Sequence, residues 1–276
     1  MQRPFVQVDV FGSTAYRGNP LAVVLDAGGL SDDEMQHFAN WTNLSETTFV
    51  LGPTDPEADY RVRIFTGSEE LPFAGHPTLG TAHAWRNHGG SPRGVGRVVQ
   101  ECAAGLITIR TDGDSLAFSA PPMLRSGPAS DELVAELAEV LRIDRAAIRR
   151  AEWVDNGPGW VAVMLDSADA VLAVRPGPTD HKIGLVGPHP PGAPEAFEVR
   201  GFFPSGGHTM EDPVTGSLNA SIGQWLIGAG LADRSYFARQ GTVLGRAGRV
   251  HISSDEQGEV WVGGRVVTCI AGHVDL

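Results

Sequence analysis

Two stretches of small and polar residues decide the expected fold: FAGHPTLGTAHAW at residues 73–85 and VTGSLNASIGQW at residues 214–225. The first predicts a helix from about Pro77 to Arg86, and the second predicts one from about Ser217 to Leu231. Their opening glycines, Gly75 and Gly216, are 141 residues apart, close to half of the 276-residue chain. Two related halves, each a strand layer around a helix, would explain this spacing, and a chance similarity of two small-residue helices would explain it equally.

Around these helices the chain consists mainly of short runs typical of strands. A Pro-, Gly- and Ser-rich stretch at residues 121–130 predicts a boundary between residues 1–120 and residues 121–258. Ser31 and Glu34 fit a capping box at the start of a further helix, and Val134 to Leu141 predicts an amphipathic one. Many strands among few helices predict a mixed α+β fold. The strand-like runs are FVQVDV, LAVVL, TTFVL, YRVRIF, RVVQEC, LITIR, LAFSA, WVAVMLD, KIGLVG, FEVRGFF, YFARQG, RVHIS and EVWVGG.

The composition excludes several classes of protein. With 42% hydrophobic residues the chain has enough apolar side chains for a core, so it is not mainly disordered. A formal net charge of −12 argues against general binding to nucleic acid or to an anionic membrane surface. There is no apolar run of about 20 residues and no signal peptide, and two distant cysteines form no disulfide framework. We therefore expect a cytoplasmic protein.

Three polar segments lie among turn residues, where packing of apolar side chains does not explain them. They are Asn43–Thr47 before the TTFVL strand, Phe73–Thr78 at the first helix start, and Glu211–Ser217 at the second. Helix N-termini carry unpaired N–H groups and the positive end of the helix dipole. Two such ends facing each other would bind an anion such as a substrate carboxylate.

Glu46, His76 and Asp212 supply the acid and base groups of these segments. Such a set can remove a proton from carbon and return it elsewhere, with no metal or organic cofactor, if nearby donors stabilise the intermediate anion. Each residue also has an ordinary structural explanation. Glu46 would be a surface carboxylate at a strand edge, His76 a helix-cap histidine, and Asp212 an N-terminal helix cap.

Other kinds of site have weaker support. His76 with His83, and His208 with Asp212, have spacings that place each pair on one helix face, but scattered surface histidines explain them better than a metal site. No GxGxxG follows a strand, and neither a GxxxxGK[ST] loop nor a GxSxG elbow occurs, which excludes dinucleotide, P-loop and standard serine-hydrolase sites.

Four strings occur in an order that resembles the PhzF-like family, named for the phenazine biosynthesis proteins PhzC and PhzF. They are VDVFGSTAYRGNPLAVVLDA, NLSETTFV, RIFTGSEELPFAGHPTLGTAHAW and EDPVTGSLNAS. The resemblance implies a diaminopimelate-epimerase-like fold with two similar halves, each a strand barrel around a central helix, and an active site in the cleft between them. It also implies that the last strand, about residues 259–276, returns to the N-terminal half, and that the protein forms homodimers. Within residues 121–200, only the string NGP at 156–158 matches a motif of this family.

The resemblance also assigns roles to individual residues. Glu46 of NLSETTFV matches the base that moves the proton, and His76 and Asp212 match its catalytic partners. Ser45, Gly75, Gly216 and Ser217 match positions that contact the substrate. Neither Cys102 nor Cys269 lies where related racemases carry their cysteine pair, which argues against two-thiol chemistry.

Two functions follow as hypotheses. The first is a cofactor-independent isomerase or epimerase of a small carboxylate, whose type reaction in the family is the isomerisation of trans-2,3-dihydro-3-hydroxyanthranilate. The second is a non-catalytic protein that binds a small ligand on the same scaffold.

Overall fold

The computed structural model describes all 276 residues and divides into two compact units. Met1–Ser119 and Gly263–Leu276 form the N-terminal unit, and Ala120–Val262 form the C-terminal unit. The N-terminal unit contains β1 (Gln2–Val10), β2 (Asn19–Val24), α1 (Asp32–Thr42), β3 (Thr47–Leu51), β4 (Tyr60–Phe65), β5 (Glu70–Leu71), α2 (Gly75–Asn87), β6 (Arg97–Cys102), β7 (Gly105–Asp112) and β8 (Ser115–Ser119).

The C-terminal unit adds three α-helices and eight strands. They are β9 (Arg125–Pro128), α3 (Asp131–Leu141), β10 (Arg150–Asp155), β11 (Trp160–Met164), α4 (Ala168–Ala173), β12 (Lys182–Pro188), β13 (Phe197–Ser205), β14 (His208–Asp212), α5 (Gly216–Gly228), β15 (Ser235–Gln240) and β16 (Gly248–Ser254). Strand β17 (Val260–Asp275) begins in this unit and continues into the N-terminal unit from Gly263 onward.

The strands of the N-terminal unit close into a barrel. β1 pairs with β2, β2 with β3, β3 with β4 and β4 with β6. β6 then pairs with β7, β7 with β8, β8 with β17, and β17 returns to β1. Within this unit, the β2–β3 and β4–β6 pairings are parallel. The β1–β2, β3–β4, β6–β7, β7–β8 and β1–β17 pairings are antiparallel. Helix α2 is buried along most of its length by this ring of eight strands.

The C-terminal unit repeats the same order of pairings. β9 pairs with β10, β10 with β11, β11 with β12, β12 with β13, β13 with β15 and β15 with β16. Two of these pairings are parallel, β11–β12 and β13–β15, and the other four are antiparallel. Helix α5 occupies the chain position of α2. The predicted α+β class with two similar halves is confirmed, and the glycine spacing is not a coincidence.

Small residues let each central helix approach its strands. A Cβ atom added at Gly80 in α2 would lie 2.5 Å from Leu21 Cδ2 and 3.0 Å from Val10 Cγ2. In α5, a Cβ atom at Gly223 would lie 2.7 Å from Ile252 Cγ2. Because barrel interiors are packed to crystalline density, these contacts leave no room for a larger residue.

Several local predictions are confirmed and others are corrected. Ser31 and Glu34 form the predicted capping box of α1. Helices α2 and α5 begin earlier than predicted, at Gly75 and Gly216, and α5 ends at Gly228 rather than near Leu231. The boundary stretch 121–130 contains β9, which pairs with β10, and Gly127 within β9 has a positive φ. No helix in the chain is long and apolar enough to cross a membrane.

The packing of α2 predicts the effect of a single methyl group. Gly80→Ala should lower the free energy of unfolding by about 1–3 kcal/mol, because the methyl overlaps Leu21 and Val10. Gly228→Ala is the matched control, because Gly228 ends α5, is exposed and has no atom within 4 Å of an added Cβ. Urea denaturation followed by circular dichroism measures both, and equal midpoints for the two variants would contradict this packing.

Candidate active site

Glu46 and His76 meet in the N-terminal unit. Glu46 directly precedes β3, and His76 is the second residue of α2. Their Oε2 and Nε2 atoms are 3.2 Å apart, and the side chains are 16% and 6% exposed. Helix α2 is held against β3 by the buried Thr81 hydroxyl, which donates to Thr48 Oγ1 at 2.8 Å. This contact holds the middle of α2 against the start of β3.

The imidazole of His76 is neutral in the folded protein. Burial lowers its pKa to about 3, although a hydrogen bond with the Pro20 backbone opposes that shift. Asn19 Nδ2 lies 3.5 Å from His76 Nδ1, on the other side of the ring from Glu46. The residue that begins α2 as its N-cap is Ala74, so His76 does not cap the helix. Glu46, which is mostly buried and faces His76, is not a solvated surface carboxylate.

Asp212 lies in the C-terminal unit, at the end of β14. Its Oδ2 accepts a hydrogen bond of 2.6 Å from Thr215 Oγ1. The N-cap residue of α5 is Thr215, so Asp212 does not cap this helix. The Thr215 hydroxyl in turn accepts from Gln240 Nε2 at 3.0 Å, which leaves its proton for Asp212. Thr215 therefore fixes the orientation of the Asp212 carboxylate.

A buried glutamine supports the start of each central helix. Gln240 Oε1 accepts from the Thr215 N–H at 3.0 Å and from Asn219 Nδ2 at 2.7 Å. In the N-terminal unit, Gln100 Nε2 donates to Thr78 Oγ1 at 3.0 Å. Thr215 lies in the predicted polar segment Glu211–Ser217 but was not predicted as a site residue, and neither glutamine was predicted. The available signal was that each glutamine lies near the end of the strand that follows its helix, in RVVQEC and YFARQG.

The central helices differ from the other helices at their N-termini. Helices α1, α3 and α4 each begin with a serine whose side chain caps the helix, and each has acidic residues in its first turn. Helices α2 and α5 have no side-chain cap and no acidic residue there. Their first-turn N–H groups and dipoles are therefore not countered by side chains of the same turn, which suits a negatively charged ligand.

The four predicted substrate-contacting residues are divided between the units. Ser45 is exposed beside Glu46, and Gly75 is the buried first residue of α2. Gly216 is the buried first residue of α5, and Ser217, which follows it, is half-buried.

Two residues outside the predicted set hold Ser217. Trp160 Nε1 donates to Ser217 Oγ at 3.1 Å, and Asn156 Nδ2 donates to the Ser217 carbonyl at 3.0 Å. No sequence pattern indicates the Trp160 contact, while Asn156 belongs to the matched NGP string.

The histidine pairs considered as metal ligands have other surroundings. His83 Nε2 lies 3.0 Å from Thr268 Oγ1 and 2.9 Å from Asn87 Nδ2. The chain contains no group of three or more His, Cys, Asp or Glu side chains placed to hold a metal ion.

The Thr215 hydroxyl should carry measurable stability. Thr215→Val removes the donor to Asp212 and an acceptor of Gln240, which should lower the free energy of unfolding by about 1–3 kcal/mol. Thr215→Ser keeps the hydroxyl and should lose less than about 1 kcal/mol. Chemical denaturation measures both, and an equal loss in the two variants would assign the effect to the methyl group instead.

The low pKa of His76 predicts how stability changes with pH. Below pH 6.5 the unfolded chain binds a proton that the folded chain, with a pKa of about 3, does not bind. Stability is therefore complete above pH 6.5 and falls as the pH decreases, by about 1 kcal/mol per pH unit. The difference in unfolding free energy between wild type and His76→Gln should shrink accordingly between pH 6 and pH 5.

His208→Gln, on the exposed β13–β14 hairpin, is the control and should follow the wild type across this range. Parallel pH profiles for wild type and His76→Gln would mean that His76 takes up a proton as readily in the folded chain as in the unfolded chain.

Comparison with known proteins identifies the family of the chain. A model of the family described as phenazine biosynthesis-like protein, PhzC-PhzF, matches residues 8–272. The chain is 36% identical to antisense-enhancing sequence 1 of Schizosaccharomyces pombe, with 98% of each chain covered. It is 35% identical to the trans-2,3-dihydro-3-hydroxyanthranilate isomerase of Pseudomonas aeruginosa, over 92% of this chain and 91% of that enzyme.

Its fold is similar to that of a solved Bacillus anthracis phenazine biosynthesis protein of the PhzF family, with a TM-score of 0.84, 22% identity and all of both chains covered. The chain therefore belongs to the PhzC/PhzF family of phenazine biosynthesis-like proteins, and it is an isomerase of that family.

Proposed function

We propose that this isomerase moves a proton between carbon atoms of a small carboxylate substrate, without a cofactor. The observation that carries the proposal is the Glu46–His76 pair, in which a mostly buried carboxylate lies 3.2 Å from a neutral imidazole. A carboxylate that is held in one position beside an imidazole ring that stays neutral can accept a proton from a substrate carbon and later return it.

In the proposed reaction Glu46 removes a proton from one carbon, and the electron pair of that C–H bond moves into the substrate as a double bond shifts. The proton exchanges with solvent while Glu46, which is 16% exposed, carries it. A proton from Glu46 then adds to a second carbon, so that the product is an isomer and no atom is gained or lost overall. His76, being neutral, does not compete for this proton at physiological pH, and its ring lies in contact with the Glu46 carboxylate.

The C-terminal unit is proposed to hold the substrate. The uncapped start of α5 and the Ser217 hydroxyl offer donors to a carboxylate, and Asp212, oriented by Thr215, offers an acceptor to an amino or hydroxyl group. In this division of labour the C-terminal unit binds the substrate that Glu46 of the N-terminal unit deprotonates. A relative at 35% identity is named for trans-2,3-dihydro-3-hydroxyanthranilate, which carries a carboxylate, an amino group and a hydroxyl group, and we propose this class of substrate.

Replacement of Glu46 tests the proposed base. In D₂O the wild type should introduce one deuterium into a cyclic amino-carboxylate substrate, with trans-2,3-dihydro-3-hydroxyanthranilate tested first. Glu46→Gln keeps the shape of the side chain but cannot accept the proton, so turnover should fall by at least about 10²-fold. Mass spectrometry measures the gain of one mass unit.

The control is Glu139→Gln on the exposed face of α3, which should retain full turnover. Full exchange by Glu46→Gln would remove Glu46 from the mechanism. Binding with no exchange by the wild type would instead favour the non-catalytic ligand-binding protein.

A further inference from the structure

We infer that Trp160 fixes the Ser217 hydroxyl as a hydrogen-bond donor to the substrate, and so makes the start of α5 selective for a carboxylate over a neutral amide. This inference rests on the proposed function, because it assigns selectivity to the same substrate site. Trp160 does not touch the reacting atoms in this scheme and acts only through Ser217, so it is a positioning residue.

The direction of the Trp160–Ser217 hydrogen bond follows from chemistry. The indole Nε1–H can only donate, so the Ser217 oxygen, 3.1 Å away, must accept. The serine proton is then excluded from that side of the oxygen and is left to donate elsewhere. No acceptor for it occurs among the hydrogen bonds of the chain, although Ser217 is only half-buried and open to a ligand.

The surroundings of Trp160 keep the indole in this position. Trp160 is the first residue of β11 and is only 4% exposed. The turn before it is closed by Asp155 Oδ1, which accepts from the N–H groups of Gly157 and Gly159 at 2.7 Å each. Both glycines have a positive φ, which the turn requires. The indole is therefore held in position by the first residue of β11 and by the hydrogen-bonded turn that precedes it.

The backbone of Ser217 is held separately. Asn156 Nδ2 donates to the Ser217 carbonyl at 3.0 Å, and Asn156 is itself only 8% exposed. The turn between β10 and β11 thus contacts Ser217 at two points, one that places the backbone and one that orients the hydroxyl. The same turn has no role in the Glu46–His76 pair, which lies in the other unit.

A donor fixed in this way discriminates between ligands. A carboxylate offers two acceptor oxygens to the Ser217 hydroxyl and to the first-turn N–H groups of α5. A primary amide replaces one of these oxygens with an NH₂ group. The NH₂ group is itself a hydrogen-bond donor, so it would face a donor of the protein and form no hydrogen bond with it. The indole N–H occupies one lone pair of the Ser217 oxygen. If the hydroxyl accepted from the NH₂ group with its second lone pair, its own proton would have to turn to the remaining position on the oxygen, where the chain offers no acceptor. We therefore assign the selectivity to the indole N–H as well as to the serine.

The test measures binding without turnover. Calorimetry with 3-hydroxyanthranilate and with 3-hydroxyanthranilamide gives the ratio of the two affinities, which should be at least about tenfold in favour of the carboxylate for the wild type, as expected when a donor pair loses its acceptor. Trp160→Phe keeps the ring but removes the N–H, and it should reduce the ratio to below about threefold. Ser217→Ala should give the same reduction, and the double variant should lose no more than either single variant.

Trp41→Phe is the matched control, because Trp41 is 79% exposed on α1, and its ratio should equal that of the wild type. In case Trp160→Phe fails to fold, NMR of the six indole N–H groups of Ser217→Ala gives a second readout. One indole proton should move upfield as it loses its acceptor.

A wild-type ratio near one, no binding of either probe, unchanged selectivity in Trp160→Phe, additive losses in the double variant, or six unmoved indole signals would each overturn the inference. Deuterium exchange by the wild type is scored independently. Its presence without carboxylate selectivity would leave the proposed isomerase intact and remove only the role of Trp160, whereas its absence would remove the proposed function itself.

Discussion

The close fit of one helix inside each layer of strands is the constraint on which the rest of this structure depends. A helix within contact distance of strands on several sides must carry small residues where they touch, as Gly80 and Gly223 do. Each of these helices also begins with a buried residue, Gly75 in one unit and Gly216 in the other, and neither helix has a side-chain cap. Two sets of polar backbone groups are thus left at two helix starts.

The two units use the same scaffold for different chemistry. The second residue of the central helix is His76 in one unit and Ser217 in the other. Beside His76 the chain places the Glu46 carboxylate. Beside Ser217 it places the Trp160 indole, which donates to the hydroxyl, and the Asn156 amide, which donates to the backbone carbonyl. In the proposed mechanism, one half of the duplicated fold moves the proton and the other half holds the anion.

Some of these features can be predicted from the sequence and others cannot, for physical reasons. Periodicity and capping are local, so strands such as Thr47–Leu51 and the Ser31 capping box could be read directly. The starts of the central helices were predicted late, because glycine has a low helix propensity and only tertiary packing keeps it helical. Helix α4 was missed because a helix of six residues has too few positions to show a period.

Within the candidate site, the residues found from sequence are those in contiguous polar strings, Glu46, His76 and Asp212. The residues that were missed act over long sequence separations. Gln240 reaches Thr215 across 25 residues, and Trp160 reaches Ser217 across 57. No local pattern marks such contacts, because a buried glutamine or tryptophan in a strand looks like any other strand residue until the fold brings its partner near.

The proposal that an acidic chain binds an anion needs a physical account. The formal net charge is −12, so the average field around the protein repels a carboxylate. At physiological ionic strength, however, charges farther than about 8 Å away are largely screened, and a bound ligand responds to its immediate neighbours. At the start of α5 those neighbours include first-turn N–H groups and the Ser217 hydroxyl, while the nearby Asp212 carboxylate accepts a hydrogen bond from the N-cap residue Thr215. The net charge therefore acts on the rate at which an anion approaches, while the local donors decide how long a bound anion stays.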